Sequence, residues 1–173
     1  MLAAEKYLAN NIKDFSSEEL IFTWEGKRIP KSGCRGLKYL GKGCFAVSYI
    51  SPLAETDFAN MKYTSLMGLL VRKAGIEDAY TDGDLVKTGD MALAQNSSYK
   101  EGSSSVMHST VFFEPDSIAV LQETGLKTTA FKDHGCELSK EGMKEFITGM
   151  VCQEQKMLTF SQIKEIIKIE NGK

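Results

Sequence analysis

Val106-Met107-His108-Ser109-Thr110-Val111-Phe112-Phe113-Glu114-Pro115-Asp116-Ser117-Ile118 is the stretch whose reading decides the fold. Residues 106 to 113 are rich in strand formers and alternate loosely, as a half-buried strand requires. Glu114 to Ser117 has the composition of a four-residue turn with proline at its second position, and Ile118 to Leu121 then reads as the returning strand. If Phe113 faces Ile118, the same register sets His108 opposite Glu123. Directly opposed residues share a face, with Cβ atoms about 4.5 to 5.5 Å apart, so the carboxylate would hold one imidazole nitrogen and leave the other free. A single bulge would bring Gln122 to that place instead.

Upstream, Gly41-Lys42-Gly43-Cys44-Phe45 puts a thiol on a glycine-bordered turn at the head of an apolar segment. A cysteine at a helix start lies near partly positive amides that lower its pKa, and adjacent glycines leave room for a substrate backbone. Cys44, His108 and Glu123 therefore form a candidate nucleophile, base and orienting group. Each residue also has an ordinary alternative. Free cysteines are often small buried core residues, and a strand histidine is often satisfied by a neighbour. His134 is the other candidate base. A zinc site from Cys34, Cys44, His134 and Cys136 lacks any Cys-x-x-Cys spacing, so no metal is expected.

The surrounding chain reads as α+β. Leu8, Ile12 and Phe15 fall at helical spacing, giving a first helix over about 2 to 13, and Ser16 with Glu19 has capping-box form. Six glycines and prolines among Lys27, Arg28, Lys31, Arg35, Lys38 and Lys42 make residues 25 to 43 an irregular basic loop. Leu66, Leu69 and Leu70 mark a helix closed by Gly75. Leu85 to Ala94 carries a Gly89-Asp90 turn feeding a short strand, followed by a polar loop over 95 to 105. Met143, Phe146, Ile147 and Met150 form one C-terminal helical stripe, and Phe160, Ile163 and Ile167 another.

At 173 residues the chain suits one domain over 1–173. Its 21 basic and 23 acidic residues leave a formal charge of −2, which gives no general bias toward nucleic acid or anionic membrane. No window approaches the length of a transmembrane span, and residues 1 to 6 lack the basic start and apolar core of a signal peptide. The chain therefore reads as cytoplasmic when synthesised, and export by a signal-independent route is compatible with it. Four unevenly spaced cysteines suggest reduced thiols rather than a disulfide framework.

The order Cys44, then Val86-Lys87-Thr88-Gly89-Asp90-Met91, then Met107-His108-Ser109-Thr110-Val111 and Leu121-Gln122-Glu123-Thr124-Gly125 resembles the papain-like NlpC/P60 and CHAP hydrolases. The resemblance covers about residues 40 to 125 and implies a papain-like core: N-terminal helices on a small antiparallel sheet, with a helical extension over about 137 to 171. It implies a cysteine peptidase or amidase without a cofactor. Cys44 would attack an amide, His108 would move the proton and Glu123 would fix the imidazole, while Gly43, Phe45 and Asp90 would border the substrate. Expected partners are a peptide or peptidoglycan stem and an inhibitory immunity protein. Gly43 before the cysteine and Phe45-Ala46 after it differ from the family pattern.

Two further readings remain. Gly41-Lys42-Gly43-Cys44-Phe45-Ala46, with Val111 to Ile118 downstream, is also similar to the ADP-ribosyltransferase fold, which would imply an NAD-dependent enzyme. In a noncatalytic protein-binding module, the cysteines would be core residues and the basic loop would dock on an acidic partner.

Overall fold

A computed structural model describes residues 2–12, 19–25, 39–52 and 56–151, together with 164, 165 and 168. Ser16 of the capping-box reading, most of the basic loop with Cys34, Cys152 and the stripe of Phe160, Ile163 and Ile167 lie outside the described residues.

A six-stranded antiparallel sheet organises the chain. Helix α1 (Leu2–Asn10) precedes β1 (Leu20–Trp24) and β2 (Phe45–Ser51), and helix α2 (Thr56–Lys73) leads to β3 (Tyr80–Asp82), β4 (Leu85–Thr88), β5 (Met91–Glu101) and β6 (Ser104–Val111). Helix α3 (Ser117–Thr124), a 3₁₀ turn (Phe131–His134) and helix α4 (Lys140–Val151) follow. The strand order is β1-β2-β6-β5-β4-β3, so the early β1–β2 pair joins the later meander through β6. Among the described residues no helix is long and apolar enough to cross a membrane.

Alternation divides the strands between two different faces. Phe45, Val47 and Tyr49 of β2, with Met107 and Val111 of β6, pack under Tyr63, Met67, Leu70 and Val71 of α2 and Met143 and Ile147 of α4. Each such apolar side chain contributes about 1.5–3 kcal/mol on burial. The intervening positions, Ala46, Ser48 and Ile50 of β2 with Val106, His108 and Thr110 of β6, face the other way, where Leu8, Ala9 and Ile12 pack on Ile50 and Val106.

The α+β class is as expected, but three local expectations are corrected. Cys44 leads a strand and not a helix: every residue of β2 is buried, and Val47 and Ile50 favour extended backbone. The polar run Gln95 to Glu101 belongs to β5 because β6 pairs with it along its whole length and β4 joins it at Gln95. Residues 114 to 125 form no hairpin. The Asp116 carboxylate accepts the Ala119 N–H at 3.1 Å, and Gly125 closes α3 with φ of 76°. The papain-like core is therefore absent from this arrangement.

Candidate functional site

Antiparallel pairing sets His108 beside Ser48 on β2 and Ser97 on β5, with its side chain on the face that α1 covers. Glu5 enters that face from α1. It lies three residues before Leu8 and seven before Ile12, on the same helical stripe. Its Oε2 is 2.9 Å from His108 Nε2, although the pair is poorly aligned for a hydrogen bond. Ser48 donates its hydroxyl to Glu5 Oε1, and the Trp24 indole N–H donates to Ser48 Oγ at 2.8 Å. Tyr99 meets the imidazole edge-on with centroids 5.3 Å apart. Glu5, Ser48 and His108 are fully buried, and an unpaired charge there would be costly, so each member depends on the others.

Trp24 links this polar cluster to an apolar half of the same face. Tyr39, Leu40, Cys44, Ala46, Ala92, Phe112 and Val120 pack around it. Thr110 donates to the Tyr39 carbonyl at 2.6 Å, tying the segment before β2 across β6. Gly43 has φ of 78°, and a Cβ there would lie 1.7 Å from the Glu114 carbonyl oxygen. The Glu114 N–H in turn donates to the Gly43 carbonyl at 2.8 Å. Thus the open side of Gly43 is filled by the chain's own backbone.

The proposed triad does not assemble. Cys44 stands level with Phe112, four positions along from His108, which is about 13 Å at strand spacing. Burial pushes its thiol up to about 11, against smaller opposing effects from the Gly41 backbone and Lys140, so it is protonated near neutrality. Glu123 and Gln122 are exposed on α3, outside the sheet. Phe45 is a core residue. Asp90 sits on the exposed β4–β5 turn, 2.9 Å from Lys127. His134 lies in the 3₁₀ turn, with Nε2 3.0 Å from the Thr129 hydroxyl. Among the described residues no three His, Cys, Asp or Glu side chains gather as a metal site.

Glu5, Ser48 and Trp24 escaped the sequence reading. Their signals were a carboxylate on an apolar helical stripe and a serine and an indole in strand runs, and none of these identifies its partner.

Solved structures supply the comparison that decides the fold. The protein is similar to P. falciparum LipL1 in complex with lipoate: TM-score 0.71 and 14% identity, covering 96% of this chain and 64% of that one. It is also similar to lipoate-protein ligase A bound with ATP: TM-score 0.68 and 10% identity, covering 100% of this chain and 91% of that one. A third is the bipartite lipoate protein ligase of Thermoplasma acidophilum, studied with its E2 lipoyl domain, with TM-score 0.66, 10% identity and coverage of 99% and 88%. The chain thus spans under two thirds of the length of LipL1. No family model and no curated protein sequence matches it.

The fold is that of the lipoate-protein ligases. This overturns the NlpC/P60 and CHAP resemblance, and with it the cysteine peptidase or amidase expected from Cys44. The ADP-ribosyltransferase and binding-module readings gain no support from these structures, and neither do peptidoglycan or immunity-protein partners.

Proposed function

We propose that the protein binds a lipoate-type acyl carboxylate and acts in its ATP-dependent attachment to an acceptor protein. The supporting observation is the fold match over 96 to 100% of the chain to ligases solved with lipoate or with ATP. Trp24, Tyr39, Ala46, Ala92 and Phe112 form an apolar cluster at this end of the sheet, buried as it stands, which an acyl chain enters only by parting its packing. In the reaction, a lipoate carboxylate oxygen attacks the α-phosphorus of ATP and pyrophosphate leaves. The acceptor amine then attacks the acyl carbon and AMP leaves.

Phosphate chemistry needs positive charge near the transferring group. Among the described strand residues on this sheet face the only Lys or Arg is Lys87 of β4, opposite Ala92, and its ammonium is already paired with Asp82 at 3.1 Å. The nearest basic run in sequence is Lys27, Arg28, Lys31, Arg35, Lys38 and Lys42, in the stretch joining β1 to β2. This observation favours a second reading, in which the protein holds the acyl ligand without transferring it.

Calorimetric titration of the purified protein with lipoate and with ATP, followed by pyrophosphate release and lipoyl-domain acylation, tests both. Binding with turnover supports the ligase, and lipoate binding without pyrophosphate release supports the holding protein. Absence of lipoate binding defeats both readings.

A further inference from the structure

Helix α1 is held on the sheet by two kinds of contact. Leu8, Ala9 and Ile12 pack on Ile50 and Val106, and the Ser104 hydroxyl donates to the Ala9 carbonyl at 2.8 Å. These contacts carry no charge and do not respond to pH. Glu5 meets His108, Oε2 to Nε2 at 2.9 Å, with both side chains fully buried. This second contact does respond, because a carboxyl and an imidazole exchange protons under mild conditions. The Ser48 hydroxyl donates to Glu5 Oε1, which leaves Oε2 to face the imidazole. Among the described residues, the other titratable groups beside the pair are Tyr99 of β5, edge-on to the imidazole, and Tyr63 of α2, which senses the Glu5 charge across the sheet. Both are phenols, which carry no charge between about pH 6 and about pH 8.

We propose that the Glu5–His108 pair is a proton-operated latch: α1 docks with one proton held between Oε2 and Nε2, so rising pH above neutrality releases α1 and uncovers this part of the sheet face. The latch stands whether or not the protein binds an acyl ligand.

Charge balance favours one proton. With one, the pair is neutral overall, either as carboxylate and imidazolium or as carboxylic acid and imidazole. With none, a carboxylate lies beside a neutral ring, and with two, an imidazolium lies beside a neutral acid. Each of these leaves an unpaired charge in a fully buried site, which is strongly unfavourable. Glu5 Oε2 and both ring nitrogens of His108 lack a well-aligned hydrogen bond, so charge balance rather than hydrogen bonding sets the strength of this contact. Once α1 lifts away, both groups are in water, where an imidazole is neutral above about pH 6.5 and a carboxyl is ionised above about pH 4.3. Above about pH 6.5 the released state therefore holds no proton and the docked state one, so docking weakens as pH rises, by up to about tenfold per unit. Below about pH 4.3 the released state holds two protons, and docking weakens again as pH falls.

Hydrogen exchange of the purified chain tests this, read by mass spectrometry on the peptide covering residues 2 to 12 and corrected for the intrinsic pH dependence of exchange. That peptide measures how readily α1 opens, and peptides from β2 and β6 report global opening. In wild type, α1 should open up to about tenfold more readily for each unit between about pH 6.5 and about pH 8, with β2 and β6 unaffected. In Glu5→Gln the docked state holds no proton in that range, so α1 opening should be flat above about pH 6.5 and rise on acidification below it. The double variant Glu5→Gln with His108→Gln should be flat throughout. Trp24, the one tryptophan of the chain, donates to Ser48 and is thereby joined to Glu5, so its emission should follow the same curves.

Wild-type α1 opening that is constant across this range, or that rises only together with β2 and β6, overturns the latch. An undiminished alkaline rise in Glu5→Gln overturns the assignment of the proton to this pair. A merely structural role for Glu5 would raise opening equally at every pH, and that result also counts against the latch. If Glu5→Gln fails to fold, His108→Gln carries the test: its docked carboxyl keeps a proton that the released one loses above about pH 4.3, so the rise should begin about two units lower than in wild type.

Discussion

The two faces of one sheet solve the same burial problem differently. Under α2 the central strands present Phe45, Val47, Met107 and Val111, and contact is non-directional hydrophobic packing with large side chains. Under α1 the alternate residues present Ser48 and His108, and the helix answers with Glu5, so contact depends on a specific pair with fixed partners. The apolar face tolerates volume-conserving exchange, whereas the polar face tolerates loss of both partners better than loss of one. A helix held by packing can be repacked. A helix held by a buried carboxylate is held in one register.

Glu5→Ala gives the largest expected effect, about 3–5 kcal/mol in denaturant unfolding, because it strands the Ser48 hydroxyl and the His108 imidazole. Replacing Glu5 and His108 together with Leu should recover most of that loss. If the double variant is no better than Glu5→Ala, the pair is not what makes this face directional. Leu70→Ala, on the apolar face, should cost about 3 kcal/mol with no such rescue from a neighbour, read by the same unfolding curves.

Cys44 offers a pH test between these two effects and local capping. Its folded pKa of about 11 lies above the ordinary thiol value of 9.0. The folded state thus binds the proton more tightly, and the stability contribution is complete below pH 9 and is lost as pH rises toward 11. Two units correspond to about 2–3 kcal/mol. Tyr63 also has a raised pKa from burial and adds its own alkaline loss, so the difference between wild type and Cys44→Ala across that window isolates the thiol. Equal alkaline slopes for the two proteins would contradict a buried thiol. The smallest effect is expected for Asp116→Ala, about 1 kcal/mol by thermal melting, from loss of the α3 cap.

The legible parts of this fold were those specified by neighbours in sequence. The run from Val106 to Val111 was readable as a strand, the stripe of Leu66 and Leu70 as a helix ended by Gly75, and Gly89-Asp90 as a turn. The caps Asp116 and Gly125 were equally local, yet Pro115 and the following Ile-Ala-Val-Leu run also fitted a hairpin, and the cap bond to Ala119 with the backbone bonds Val120 to Asp116 and Gly125 to Leu121 separates the two. Gln95 to Glu101 looked like a loop because its composition is polar. Pairing with β6 along the whole run, and with β4 at Gln95, overrides that composition by satisfying its backbone.

The candidate site was less legible still. The sequence set Glu123 beside His108, whereas the carboxylate beside it in the structure is Glu5, 103 positions away. Hairpin arithmetic reaches only along one connection. It carries no information about a helix that crosses the sheet from the other end of the chain.

Composition, periodicity and turn chemistry by themselves determined the α+β class, because these act over a few residues and leave their pattern in the chain. Tertiary structure alone decided that Cys44 lies in a buried strand, that β2 joins β6 across the intervening helix and strands, and that Glu5 faces His108. Those outcomes depend on which distant surfaces exclude water together, and a linear pattern does not encode that choice.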